Sequence, residues 1–264
     1  NTKVVAFYDE LQRRLRALAG VDATGLTEEV PLTGWGWTSQ FRAQTWPTDH
    51  YGSEVAHRAT SAGYFAALHV PIGRGRTFGP EDGPGSPPVV LINQSLADQY
   101  FHGEDPIGQR VAFDKTPDST STWYTIIGVV GDERQTSLGA ETKIQFTTDF
   151  SQGPDNGMYV VIHTSGDPSA LAPSVRRMIH DLDAGLAVAS MQTMSEVRSA
   201  SLARQRFFMT MLIVFAAVGV VLALVGVYGV MAQLANGRRR EVGIRIALGA
   251  TVREVRWLIV RNGL

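Results

Sequence analysis

From Phe207 to Ala232 the chain reads FFMTMLIVFAAVGVVLALVGVYGVMA, about 26 residues without one charge. About 20 apolar residues suffice to cross the hydrocarbon core as a helix, and buried helices of soluble proteins rarely stay uncharged for seven turns. The pattern predicts a membrane-spanning helix over 207–233. Small residues recur along it at Ala216, Gly219, Ala223, Gly226 and Gly229, in steps of three and four. Such a stripe lets helices approach closely in lipid, so it predicts packing against a partner helix.

Ahead of that run the periodicity changes. Phe7, Leu11, Leu15 and Leu18 mark one face of a helix that Gly20 closes. Residues 88–92 (PVVLI) read as a buried strand, followed by Asn93 and a short helix to Phe101. Residues 123–130 and 158–162 give two more strands. Asp167-Pro168 opens a helix over 168–183 with Leu171, Val175 and Ile179 on one face. Strands interleaved with helices predict a mixed α/β (α+β) domain over 1–200, in layers rather than as a β sandwich. The polar, Trp- and Thr-containing stretches around 28–58 and 111–125 suggest a smaller β-rich lobe.

Behind the run the chain turns basic. Arg238, Glu241 and Arg245 share one helical face, and Val242 and Ile246 form an apolar strip beside it. Gly249 suits the left-handed turn that ends a helix. Thr251 with Glu254 is a capping-box pattern, and Val255, Leu258 and Ile259 then give a new apolar face with Trp257 at its side. The expectation is a short amphipathic helix and turn over 237–250, then the start of a second membrane helix over 251–264. The ends at Asn1 and Leu264 predict a segment of a longer chain.

Charge adds orientation. After Ala235 there are seven arginines against Glu241 and Glu254; removing these from the totals of 24 bases and 25 acids leaves 17 against 23. The acidic body argues against nucleic-acid binding. The arginine excess behind the helix places residues after about 236 in the cytoplasm and residues 1–200 outside. The chain has no cysteine, hence no disulfide, thiol nucleophile or thiolate metal site.

The string EVGIRIALGA, behind a membrane stretch ending VGVYGVMA, resembles the signature segment of MacB/FtsX-like permeases, the membrane subunits of a class of ABC transporters. The pieces Gly63-Tyr64-Phe65, residues 73–78 (GRGRTF), 101–108 (FHGEDPIG) and 127–132 (IGVVGD) are similar to the periplasmic core domain of the same family. Within it the chain is similar to orphan permeases of the acidobacterial duplicated type. The resemblance implies a non-catalytic permease in the bacterial inner membrane, engaged in efflux or mechanotransmission. It implies that Arg240, Glu241, Gly243, Ile244, Arg245, Ala247, Leu248, Gly249 and Ala250 touch a separate ABC ATPase subunit. It further implies a homodimer or a duplicated second half, with a periplasmic adaptor as another partner, and no cofactor.

Other chemistry does not assemble. No phosphate-cradling Gly-x-x-x-x-Gly-Lys-Ser/Thr occurs, so ATP hydrolysis falls to another chain or region. The glycines and arginines of 73–79 lack dinucleotide spacing and follow no clean strand. His102, Glu104 and Asp105 read as a turn rather than a metal site, and Asp181 with Asp183 as a helix end. The alternative reading is a membrane-anchored extracytoplasmic sensor, but Gly249 breaks the long signalling helix that such a receptor needs.

Overall fold

The structure is a computed structural model that describes residues 2–34, 36–136, 141–155, 157–186 and 188–237. The chain divides into an outer unit, Asn1–Leu202, and a second unit, Ala203–Leu264.

The outer unit opens with α1 (Thr2–Arg16), which buries Tyr8, Leu11 and Leu15, the face its apolar spacing marks out. Gly20, at φ +86°, turns the chain into β1 (Val21–Thr27). Then come β2 (Thr38–Ala43), β3 (Gly52–Thr60), the single turn α2 (Tyr64–Ala67) and β4 (Ile72–Gly75). A second run holds β5 (Val89–Asn93), α3 (Gln94–Tyr100), β6 (Arg110–Ala112), β7 (Trp123–Val130), β8 (Gln145–Asp149) and β9 (Tyr159–Thr164). Last is α4 (Pro168–Leu182), where the Asp167 side chain accepts from the Ser169 N–H and Pro168 occupies a position needing no donor.

Six of these strands close on themselves. The order β2-β6-β7-β5-β8-β3 returns to its start because β2 also pairs with β3. The β3–β8 and β5–β7 pairs are parallel and the other four antiparallel. Phe41, Val55, Val90, Ile92, Val111, Ile126 and Phe146 fill the ring, joined by Leu96 and Ala97 of α3. Burying each of these large apolar side chains contributes about 1.5–3 kcal/mol.

β5 is buried along its whole length because both faces are covered: Val90 and Ile92 point into the ring, while Val89 and Leu91 pack outside it against Tyr64 and Phe65 of α2. On β7 the register slips opposite Val90 and Leu91, so Ile126 and Val129, three residues apart, both reach the interior.

The expected α/β character is present, with two differences in its arrangement. Layers exist only on one flank, where β9 pairs with β1 and α1 and α4 cover that pair through Leu11, Leu15, Leu26 and Val175. The stretches around 28–58 and 111–125 form no lobe of their own: they supply β2, β3, β6 and the start of β7 to the ring. The register of Arg42 on Ala112 joins them, a pairing between distant segments that local composition does not encode.

Candidate functional site

α5 (Met194–Gly237) begins with a reciprocal cap. The Thr193 hydroxyl accepts from the Glu196 N–H at 3.2 Å, and the Glu196 carboxylate accepts from the Thr193 N–H at 2.7 Å. Sequence reading passed over this start, although Thr193-Met-Ser-Glu196 carries its signal. Among the described residues α5 is the single helix long and apolar enough to cross a membrane, and none of its most apolar stretch is buried. The side chain of Phe215 is 79% exposed. Ala216, Gly219, Ala223, Gly226 and Gly229 all lie on this helix, and a methyl group added at any of the three glycines meets nothing within 4 Å. The stripe has no partner among the described residues. Arg240, Glu241, Gly243, Ile244, Arg245, Ala247, Leu248, Gly249 and Ala250 lie outside the described residues, as do the turn and second membrane helix expected after 237.

The outer unit holds a polar hub that sequence reading missed. Arg58 of β3 is buried and pairs with Glu133, in the segment after β7. The other Glu133 oxygen accepts from the Tyr64 hydroxyl at 2.6 Å, and the Arg58 guanidinium lies over the Tyr64 ring, 4.8 Å from its centroid. Turned with its amide oxygen toward Arg58, Gln145 of β8 accepts from Nη2 at 2.8 Å and Nε at 3.2 Å. Burial raises the Tyr64 phenol well above its usual range and also raises Glu29, which feels Arg58 nearby. The hub ties β3, β8, α2 and the post-β7 segment together. Its chemistry is cross-linking, with charge, hydroxyl, amide and ring face each meeting a partner from another element.

Beside the hub, His57 is stacked on Trp37 with ring centroids 3.7 Å apart, and its Nε2 lies 2.8 Å from the Ser39 hydroxyl. Burial lowers its pKa to about 3, so the ring is neutral.

The pieces that carry the family resemblance in the outer domain turn out to hold backbone. Gly75 sits at φ +71°, where a Cβ would stand 2.2 Å from the Ile127 carbonyl oxygen; at Gly128 it would stand 2.3 Å from that of Arg76. β4 and β7 approach that closely, which explains both glycines. Arg76 binds Asp82 in a fork, and its partner carboxylate also accepts from the Gly79 N–H. Asp132 accepts from Asn93 Nδ2 at 2.7 Å and from the Ser95 N–H at 3.0 Å, anchoring the start of α3. His102, Glu104 and Asp105 lie in a turn where Gln109 donates to the Glu104 carboxylate. A shallow groove of about 450 Å³ separates α1 from α4, lined by Arg13, Arg14, Arg177, Asp181, Leu18 and Met178 among others.

Comparison with known proteins gives the same two-part division. The MacB-like periplasmic core domain family matches residues 6–200, and the FtsX-like permease C-terminal family matches residues 213–264. The macrolide export ATP-binding/permease protein MacB of Azoarcus sp. is 25% identical over 224 residues, covering 82% of this chain and 33% of that protein. The pyoverdine export ATP-binding/permease protein PvdT of Pseudomonas syringae pv. tomato is 23% identical over 199 residues, 72% of this chain and 29% of that protein. The chain thus spans about a third of the length of these relatives. The crystal structure of the periplasmic region of MacB from Actinobacillus actinomycetemcomitans is 15% identical with a TM-score of 0.47, covering 66% of this chain and 73% of that one. With residues 6–200 matched almost end to end, the chain belongs to the MacB-like periplasmic core domain family, and the segment that follows, 213–264, is similar to the FtsX-like permease C-terminal family.

Proposed function

We propose that this chain transmits motion generated by an ATP-binding cassette ATPase through its membrane helix to the outer domain, as the non-catalytic permease part of an export system in the bacterial inner membrane. One observation carries the reading: the outer domain and the permease segment share one chain, and α5 runs unbroken from Met194 to Gly237 with no charge between 207 and 232. Residues 1–200 lie in the periplasm and those after about 236 in the cytoplasm. Arg240, Glu241, Arg245 and the turn Leu248–Ala250 take up the ATPase contact. The stripe Ala216–Gly229 packs against a helix of a second copy or of a duplicated half. Export as the direction is supported by the names of the relatives, macrolide and pyoverdine exporters. ATP hydrolysis belongs to another chain or domain.

The test is co-purification of the full-length protein from detergent-solubilised membranes, wild type beside Glu241→Arg/Leu248→Asp. An ATPase with a phosphate-binding loop should accompany the wild type and be lost with the variant. Absence of any ATPase, under conditions that keep a known transporter complex together, would remove the motor and leave the tethered sensor as the better account.

A further inference from the structure

We propose that the groove between α1 and α4 binds a long-chain carboxylate, the fatty-acid class of ligand, with its head on Arg13, Arg14 and Arg177 and its chain along Leu18 and Met178. The site lies wholly within the outer unit and does not rest on the permease reading. Its walls follow from helical spacing. On α4, Arg177, Met178 and Asp181 stand three, four and seven residues after Ser174, so the four share one face, beside the face that buries Val175. Across from them are Arg13 and Arg14 in the last turn of α1, with Ala17 and Leu18 four residues further on. Leu18 and Met178 are half-buried and pack against the core that α1 and α4 share, which gives the groove an apolar floor. The guanidiniums form its rim. Its volume of about 450 Å³ falls among those of small-molecule sites, about 300–1,000 Å³.

The charges around the groove leave room for one anion. Glu10 accepts from Arg13 Nε at 2.7 Å and Nη2 at 2.6 Å, and from Arg14 Nε at 2.7 Å. Those bonds hold the Glu10 carboxyl at about 2, so it stays ionised. A single carboxylate thus fixes two guanidiniums side by side and neutralises one of them. Among the described residues, Nη1 of Arg13 and both Nη groups of Arg14 keep their N–H donors unspent, and Arg177 makes no hydrogen bond or ion pair. With Asp181 counted, three guanidiniums meet two carboxylates, which leaves one positive charge. A carboxylate carries one negative charge and takes two parallel N–H bonds from a guanidinium. A bare inorganic anion would leave Leu18 and Met178 uncovered, and a cation would stand against the excess charge. Arginines in the last turn of α1 also answer that helix's dipole, but the dipole gives no reason for Arg177 to stand across the groove.

The experiment is photolabelling of the full-length protein in phosphatidylcholine nanodiscs with a diazirine-bearing palmitate, the labelled peptides being mapped by mass spectrometry. Labelling of the nanodisc lipid serves as the internal standard. Label should appear on the peptides that hold Leu18 and Met178. Palmitate should compete it away, while submicellar hexadecyltrimethylammonium, inorganic phosphate and acetate should not. Arg14→Gln/Arg177→Gln should cut the label by about tenfold or more, and Asp181→Asn, which removes a like charge, should raise it. These three positions are exposed or half-buried, so melting temperatures should stay level and a change in label reads on the site. No label in the groove, or unchanged label in the double arginine variant, would overturn the proposal. Competition by hexadecyltrimethylammonium as strong as by palmitate would make the groove an unselective apolar cleft. Competition as strong by inorganic phosphate would make it a plain anion site. Either result would overturn it as well.

Discussion

Arg58 and Leu222 mark two opposite solutions to the same constraint, that a polar group away from water needs a partner. In the outer unit Arg58 is almost wholly buried and answered by Glu133, Gln145 and the face of Tyr64. Along α5 the constraint is met by omission: no charged side chain lies between 207 and 232, and the helix satisfies its own backbone. The outer unit therefore gains specificity from pairings between residues far apart in sequence. The helix needs none to be a helix in lipid, so its surface is free to be shaped for a neighbour. Partnered charge defines one region and absent charge the other.

That contrast can be broken most forcefully at Arg58. Replacing it with alanine leaves Glu133 buried and uncompensated, and should cost about 3–5 kcal/mol of outer-domain stability, read from denaturant unfolding of the full chain in detergent. Adding Glu133→Gln to that variant should recover part of the loss. The reverse experiment puts an arginine where none is tolerated. Leu222→Arg, mid-helix, should raise the cost of membrane insertion by about 2.5–3.5 kcal/mol in a translocation assay while leaving the outer-domain melt in place.

A smaller effect comes from His57. Its folded pKa of about 3 lies below the usual 6.5, so between those values the unfolded chain takes up a proton that the folded chain refuses. Stability is complete above about pH 6.5 and falls as the pH drops toward 3, by at most about 1.4 kcal/mol per pH unit for this one proton. His57→Phe should flatten the change in denaturant midpoint between pH 7 and pH 5; an unchanged slope would assign the acid sensitivity to other groups. Smallest of all, Gly219→Ile should lower helix self-association by about 1 kcal/mol in a membrane two-hybrid assay and leave folding of the outer unit untouched. Equal association by both would show that the stripe meets no helix.

Legibility followed the same divide. α1, α4, β5, β7 and β9 stood out in the sequence because each buries an apolar face or two. β3 (GSEVAHRAT) and β8 (QFTTD) did not, because polar residues they bury draw on distant partners, His57 on Ser39, Arg58 on Glu133 and Gln145 on Arg58, and β2 (TSQFRA) buries only Phe41 and Ala43. Closure of the ring was invisible for the same reason, since nothing near Arg42 names Ala112. The glycine- and arginine-rich pieces identified the family while concealing their job. Gly75 and Gly128 look like a flexible loop and a strand defect until the crossing of β4 and β7 supplies the carbonyls they admit. The start of α5 went unread, although Thr193 and Glu196 carry its signal.

The closed ring also bears on how such a domain can diversify. Its stability resides in backbone pairing between strands, in the side chains those strands enclose, and in Trp46 and Phe113 packed against them, so the rest of the connections, 47–50 and 114–122, contribute less to it. The second carries its own turn, with the Asp118 carboxylate accepting from the Thr120 N–H at 2.7 Å. Connections of that kind accept insertions and altered side chains at small energetic cost. A lineage can rewrite the outward-facing loops, and with them whatever the domain touches, while inheriting the same scaffold unchanged.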